Sequence, residues 1–331
     1  MGHFVSERQT LLQSITNTIA DYREGEIPKP TAAHVDRWLN QFAAPVQLPI
    51  LREMAHVLGK TYISKAKVET FLKTVITSKK LAGDDCCAFW KNVHFLNIQR
   101  GGNSQRDMLD MFSGVLKGTC NLTIAQCGRT PEAFVYLDDV LFTGNRIRTD
   151  LSAWIRSDAP PTVKLHVITM GLHSGGQYYA STQIAQAAKA AGKTVNITWW
   201  RSVEIEDRKN STDTSDVLRP TVIPADPPTQ AYVQGLRYPP VLRKPGNVGA
   251  QQFFSSEGGR SLLEQEFLKT GVHIRSICPH LNAYMRPLGN MVLETPGFGS
   301  MFVTFRNCPN NTPLALWAGN PWYPLFARKT N

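Results

Sequence analysis

Apolar residues recur at helical spacing over residues 5–22, at Leu11, Leu12, Ile15, Ile19 and Tyr22, predicting an amphipathic helix that Pro28 and Pro30 end. Thr31 predicts the cap of a second helix with Val35, Trp38, Leu39 and Phe42 on one face, and residues 48–58 and 65–76 predict two more. From residue 93 the pattern changes. An apolar run at 93–98 leads into a Gly-containing loop and a helix over 106–116, and the run Phe134-Val135-Tyr136-Leu137 leads into a polar helix over 146–156. The same rhythm repeats as a strand at 163–170, a loop at 171–176, a helix at 177–191 and a strand at 195–200. Short apolar runs alternating with helices predict an α/β fold with a mainly parallel sheet and right-handed crossovers. Prolines 220, 224, 227, 228, 239, 240 and 245 break the rhythm and predict an irregular insertion over 204–260, before a helix at 261–269 and a strand near 303 restore order. The predicted organisation is a helical region over 1–82, with a linker at 79–85, followed by an α/β domain over 83–331.

The 331 residues, 42% of them hydrophobic, suffice for a full core. A formal charge of +10 favours anionic partners such as nucleotides, pyrophosphate or nucleic acid. Residues 51–91 carry eight Lys or Arg against four acids, which suits either a winged-helix-like nucleic-acid binder or a solvated face docked on the rest of the chain. Asp84 and Asp85 lack a preceding strand and a following Thr-Gly, so they are assigned no chemistry. The six cysteines show no CxxC spacing; reduced thiols in a cytoplasmic protein are expected rather than a disulfide framework or a zinc site. The N-terminus lacks the parts of a signal peptide. Its loose match to a myristoylation pattern has no second membrane signal beside it, and no apolar run approaches the ~18 residues that span a bilayer, so no membrane partner is expected.

The candidate chemistry lies between the strand at 134–137 and the helix that follows. Asp138 and Asp139 stand at the strand's end, and Val140, Leu141, Phe142, Thr143, Gly144, Asn145 and Arg146 lead into the helix. Thr-Gly at a helix start offers a hydroxyl and unencumbered backbone N–H groups to a phosphate monoester. Two adjacent carboxylates can hold a vicinal diol, or Mg²⁺ bound to it or to its water. A sugar phosphate satisfies both. One βα unit earlier, Arg100-Gly101-Gly102 forms a second phosphate-type loop with a guanidinium able to grip two oxygens. An Asp-rich turn capping an ordinary helix would use similar residues.

This pair of motifs resembles the signature of type I phosphoribosyltransferases. The resemblance implies that Asp138 and Asp139 contact the ribose hydroxyls of phosphoribosyl pyrophosphate (PRPP) and its Mg²⁺, that residues 140–146 cradle the 5′-phosphate, and that Arg100, Gly101 and Gly102 bind the pyrophosphate. It implies a mobile cover between the two motifs, for which Lys117 and Arg129 are possible cations, and a C-terminal hood over 261–331. The ending Arg306-Asn307-Cys308-Pro309-Asn310-Asn311-Thr312-Pro313-Leu314, with Trp317 beyond, together with the Leu-Asp-Asp strand, is similar to phosphoribosyltransferase-like effectors of bacterial anti-phage defence systems, including those accompanying retrons. That similarity implies control by a reverse transcriptase with its RNA/DNA hybrid, and a homo-oligomer is compatible with it. Arg306, Asn307, Asn310, Asn311 and Trp317 can read a base, or pin turns by packing. His173, at a strand's carboxyl end, can touch the base or be structural.

Two positions depart from the resemblance. Phe142 stands where 6-oxopurine enzymes carry an acid that handles a ring proton, and hydrocarbon cannot act as a base. Asn145 and Arg146 replace a Gly and a hydroxyl residue. The expected function is therefore ribosyl or phosphoribosyl transfer, or glycosidic cleavage, at a nucleotide-like substrate in defence. The alternative is a non-catalytic protein that senses PRPP or a nucleotide, or binds nucleic acid.

Overall fold

A computed structural model describes residues 6–329. The myristoylation pattern and the first residue of the predicted first helix lie outside the described residues. In chain order the elements are α1 (Glu7–Thr18), α2 (Ala32–Leu39), α3 (Ala44–Thr61), β1 (Tyr62–Ile63), α4 (Lys65–Ile76), α5 (Lys79–Ala82), α6 (Cys86–Lys91), β2 (Val93–Phe95), α7 (Ser104–Cys120), β3 (Ala133–Leu137) and β4 (Val140–Leu141). Then come α8 (Asn145–Ser157), β5 (Thr162–His173), α9 (Ser174–Ala190), β6 (Thr194–Ile205), α10 (Pro227–Gln234), α11 (Glu257–Ile277), β7 (Met285–Arg286), β8 (Gly289–Asn290), β9 (Val303–Thr304) and α12 (Leu314–Trp317).

Contacts divide the chain into two compact units, residues 66–205 and residues 1–65 together with 206–331. The division thus falls at 65/66 rather than at the linker expected near residue 82. The reason is visible in the core of the discontinuous unit. Trp38, fully buried on α2, donates its indole N–H to Ala315 O at 2.8 Å, and the Tyr22 hydroxyl donates to Ala327 O at 2.9 Å. β1 pairs in parallel with β9, 241 residues later, in the register Tyr62↔Val303 and Ile63↔Thr304. The first three helices therefore share one core with the C-terminal segment, which matches a docked face better than a free-standing winged helix.

The expected insertion is irregular apart from α10, and a buried ionic cluster holds it. Glu264 on α11 accepts from Arg243 Nε at 2.8 Å, from Arg260 Nε at 2.9 Å and from the Arg219 backbone N–H at 3.1 Å. All three charged side chains are fully buried. Two guanidiniums thus share one buried carboxylate, and Arg243 Nη1 also donates to Glu257 Oε2 at 2.8 Å.

Residues 66–205 form the α/β unit. β2, β3, β5 and β6 are neighbours in that order and all parallel, and β4 pairs with β5 on the same side as β3. The core is made by residues such as Tyr136, Ile147, Leu151, Leu165, Val167, Ala180 and Ile184, which join the sheet to α8 and α9. The mixed α/β fold with a mainly parallel sheet agrees with the hydrophobic pattern. One expectation is overturned: Cys87 and Cys120 are disulfide-bonded, so the cysteines are not all reduced. Cys87 sits on α6, an element the hydrophobic pattern did not reveal, and only the packing of α6 on α7 brings the two sulfurs together. No helix among the described residues is long and apolar enough to cross a membrane.

Replacing Glu264 by Ala strands the buried Arg260 and leaves Arg243 only Glu257, and is expected to lower stability by about 3–5 kcal/mol in urea titration. A loss under about 1 kcal/mol would show that the cluster is not held by this carboxylate.

Candidate functional site

The acid pair sits in the break between β3 and β4, and strand pairing resumes beyond it. Phe134–Leu137 pair with Leu165–Ile168, and Val140–Leu141 pair with Gly171–Leu172, in the same register. Between them Asp138 N–H donates to Ile168 O at 3.1 Å and Met170 N–H donates to Asp139 O at 2.8 Å, so the ladder with β5 runs through the acids. The side chains fold back on the chain. Asp138 Oδ1 accepts the Asp139 N–H at 2.9 Å, and Asp139 Oδ1 accepts the Val140 N–H at 2.8 Å. Each carboxylate spends one oxygen on holding the turn and is fixed in direction by it. Asp138 is buried and Asp139 half-buried.

Beneath them lies a third acid that the sequence reading did not single out. The Tyr136 hydroxyl donates to Asp150 Oδ2 at 2.8 Å in a buried pair. Burial pushes the Tyr136 phenol well up, and the negative charges of Asp138 and Asp150 push it further. Burial likewise raises Asp150, opposed by the bond from Tyr136 and by the charges of Arg146 and Arg100. Tyr136, Asp138 and Asp150 form an acidic floor, and Arg100 and Arg146 stand within electrostatic reach of it.

After β4 the chain turns at Gly144, whose φ of 74° lies in the left-handed region. A Cβ there would meet Gly176 O at 2.2 Å, and a Cβ on Gly176 would meet Phe142 O at 1.9 Å. Two backbones therefore touch, and both glycines are required. Gly176, in the first turn of α9, was read only as part of a loop. Gly144 starts α8 without any side-chain cap, and α7 and α9 are likewise uncapped. Thr143 Oγ1 is a distant acceptor for Asn145 N–H at 3.4 Å, while Asn145 Oδ1 accepts from Arg148 at 2.6 Å. The first turn of α8 thus presents N–H groups and the positive end of the helix dipole at an exposed position.

Arg146 then joins the two loops. Its Nη1 donates to Gly101 O in the upstream loop, so the Arg-Gly-Gly turn and the start of α8 are brought together. Arg100, Gly101 and Gly102 are exposed, with Gly102 at φ 81°. The turn is held from below by Gln105, fully buried on α7, whose Oε1 accepts the N–H groups of Ile98 at 2.8 Å and Gln99 at 2.9 Å. Gln99 Oε1 answers by accepting the Gln105 N–H at 3.2 Å. The Gln105 Nε2 amide is buried without a hydrogen-bond partner among the described residues. The sequence carries no strong signal for this pair, since two glutamines six apart follow no capping rule.

His173 is fully buried, which removes it from the contact with a base that its place at a strand end had suggested. Its Nδ1–H donates to Leu141 O at 2.8 Å and its ring lies 5.0 Å from that of Phe142. Burial pulls its pKa down to about 4, so it is neutral at physiological pH and pins β4. His166, buried on the same strand, is likewise lowered to about 4 by burial and by the charge of Lys164. Half of the stretch expected to form a cover is helix α7, followed by a 3₁₀ turn at Ile124–Gln126.

The C-terminal candidates belong to the other unit and spend their polar groups there. Asn307 Nδ2 donates to Lys329 O at 3.0 Å, Asn311 Nδ2 donates to Asn290 O at 3.0 Å, and the buried Trp317 donates to Thr312 O at 2.8 Å. The Asn310 carbonyl accepts the Asn290 N–H at 2.7 Å. Arg306 is half-buried beside them.

The sequence profile of the PRTase-CE family matches residues 35–328. The chain belongs to the PRTase-CE family. It is thus a phosphoribosyltransferase-like protein, and the matched range takes in both loops, the acid pair and the C-terminal cluster. No curated protein and no solved structure matched it.

Two outcomes follow from this geometry. Gly176→Ala, which drives a Cβ into Phe142 O, is expected to lower the thermal midpoint sharply, whereas Gly114→Ala on α7, with nothing within 4 Å, should cost nothing and can add up to about 1 kcal/mol. Equal effects would show that the glycine contact is not tight. For His173 and His166, whose folded pKa values lie below the ordinary value, the unfolded chain binds more protons between pH 6.5 and about 4. Their contribution is therefore complete above pH 6.5 and lost as pH falls toward 4, on the order of 2–3 kcal/mol for each. Urea midpoints should fall over that window, and His173→Asn should flatten the slope. An unchanged slope would contradict a buried neutral imidazole.

Proposed function

We propose that this protein binds PRPP or a nucleotide at the two joined loops, and transfers or releases its ribosyl or phosphoribosyl group as the effector of an anti-phage defence system. The observation that carries the reading is the clasp of Arg146 on Gly101, which brings an uncapped helix start and an Arg-Gly-Gly turn to the same end of the sheet as two fixed carboxylates. In open parallel sheets this carboxyl end is where ligands bind. The backbone N–H groups of Asn145 and Arg146, with the Thr143 hydroxyl, receive the 5′-phosphate, and residues 140–142 set the loop's height above β4. Asp138 and Asp139 receive the ribose hydroxyls.

The donor set suits a hard divalent cation, since carboxylate oxygens are what Mg²⁺ takes. Asp138 and Asp139 would hold it directly or through the diol, and once bound it would neutralise charge on the pyrophosphate. The protein's own part is to fix the sugar and to stabilise the departing anion. Arg100 supplies a guanidinium, the Gly101–Gly102 turn leaves backbone exposed, and the partnerless Gln105 amide is a further donor at the root of that turn. As the bond at C1′ opens, positive charge grows on the ribose and negative charge on the pyrophosphate. The acidic floor of Asp138 and Asp150 favours the first and Arg100 the second.

Control by a reverse transcriptase and its nucleic acid is part of this proposal, motivated by the likeness of the Leu-Asp-Asp strand and the C-terminal Asn-rich ending to such effectors. A cytoplasmic location follows from that role. A second reading has its own observation. Phe142 packs its ring near the neutral His173 where a base would be needed for purine salvage, so the site can serve as a non-catalytic sensor of PRPP or nucleotide.

Replacing Asp138 and Asp139 together by Asn keeps the backbone bonds but removes both charges. It is expected to abolish phage protection and reduce Mg²⁺-dependent PRPP or nucleotide turnover by 10²-fold or more, with an unchanged thermal midpoint. Arg100→Ala should reduce turnover by a similar factor. Undiminished protection in the double variant would count against any use of this site. Retained protection-linked binding without turnover by the wild type would select the sensor.

A further inference from the structure

Three sulfurs meet within the unit of residues 66–205, with no role given to them above. Cys87 on α6 is bridged to Cys120, the last residue of α7, and the Cys86 thiol lies 3.9 Å from the Cys87 sulfur. All three sulfurs lie within 4.8 Å of one another, and all three residues are half-buried. The other cysteines behave differently. Cys278 and Cys308 are buried, and burial pushes their thiols up, Cys308 to about 12, which makes them poor nucleophiles. Cys127 is unbridged and raised by burial as well.

A purely structural bridge has no use for a third sulfur at contact distance. A bridge meant to exchange does, because thiol–disulfide exchange requires a thiolate able to approach a disulfide sulfur. The bridge also has a defined mechanical span. Its sequence separation of 33 encloses β2, the Arg100–Gly101–Gly102 turn and the whole of α7, so one covalent link closes the segment that carries the upstream loop. Cys120 ends the helix whose second residue, Gln105, holds that loop from below.

We propose that Cys86, Cys87 and Cys120 form a thiol–disulfide exchange site whose state sets the order of the Arg100–Gly102 loop. In the exchange step the Cys86 thiolate attacks Cys120 Sγ. A Cys86–Cys120 bond forms, the Cys87–Cys120 bond breaks, and its electron pair leaves on Cys87, which takes up the proton that Cys86 gave up. No net oxidation occurs. In the opening step one molecule of a low-molecular-weight thiol such as glutathione attacks the bridge to give a mixed disulfide and one protein thiol, and a second molecule attacks the glutathione sulfur of that mixed disulfide, so that oxidised glutathione leaves and two protein thiols remain. Opening frees the C-terminal end of α7 and the closed segment with it. The loop's ligand rests on the function proposed above; the sulfur chemistry does not.

The test equilibrates the full-length protein in glutathione buffers of graded ratio at pH 8, quenches with acid, and maps bridged peptides by mass spectrometry. Wild type is expected to yield both Cys87–Cys120 and Cys86–Cys120 peptides. Cys87→Ser should retain a bridge, now Cys86–Cys120, with its fold verified by circular dichroism. Amide hydrogen exchange over residues 99–106 should rise roughly tenfold or more on reduction. A single Cys87–Cys120 peptide in every buffer, with Cys87→Ser folded but unbridged, would overturn the exchange. Amide protection over 99–106 indifferent to reduction would overturn the coupling. Neither readout uses a phosphorylated ligand, so this proposal and the proposed function can fail independently.

Discussion

The parallel pairing of β5 with β3 and β4, which keeps one register across the break at Asp138 and Asp139, is the constraint on which the rest of the α/β unit depends. The chain keeps one register before and after the acids, with Asp138 N–H and Asp139 O both bonded to β5, so the two carboxylates are held between paired strands. A loop residue samples many directions at thermal energy; a residue inside a ladder does not. The cost is that each carboxylate gives one oxygen to the chain's own N–H groups. The return is two charges with fixed orientation at the carboxyl end of a parallel sheet.

The loops around this strand gain their order from a few contacts of different kinds. The turn at Gly144 depends on backbone touching backbone at Gly176, which is a steric requirement. The upstream turn depends on reciprocal amide bonds between Gln99 and Gln105, which satisfy backbone N–H groups that would otherwise lie buried and unpaired. Arg146 links the two turns. Opposed to these is the electrostatic arrangement: buried acids below and cations at the exposed rim. The net charge of +10 works in the same direction at longer range.

Much of this was legible in the residues because hydrophobic period and turn chemistry are local properties. The helix starting after Thr31, the helix at 65–76 and the alternation of strands and helices from 93 to 205 all follow from spacing alone. The acid pair and Thr143–Gly144 stand out in the residues because few other arrangements need that order. What escaped depends on contacts far apart in sequence. Gln105 and Gly176 matter through neighbours that only the fold supplies. The unit boundary moved from 82 to 65 because β9 and the C-terminal chain pair with β1 and cover Trp38. The Cys87–Cys120 bridge was invisible because α6 is too short to show a period. His173, Asn307 and Trp317 bond inward to backbone partners, which spacing does not foretell, since polar side chains near a strand end or a turn are as readily turned inward as outward.

The central claim is that one phosphorylated ribose spans the acids and the start of α8. A crystal structure of the protein with ribose 5-phosphate and Mg²⁺ tests it most directly. The account predicts the phosphate on the N–H groups of Asn145 and Arg146 beside Thr143, with the ribose hydroxyls on Asp138 and Asp139. A ligand bound elsewhere at full occupancy, with these residues making only their contacts to the chain itself, would contradict it.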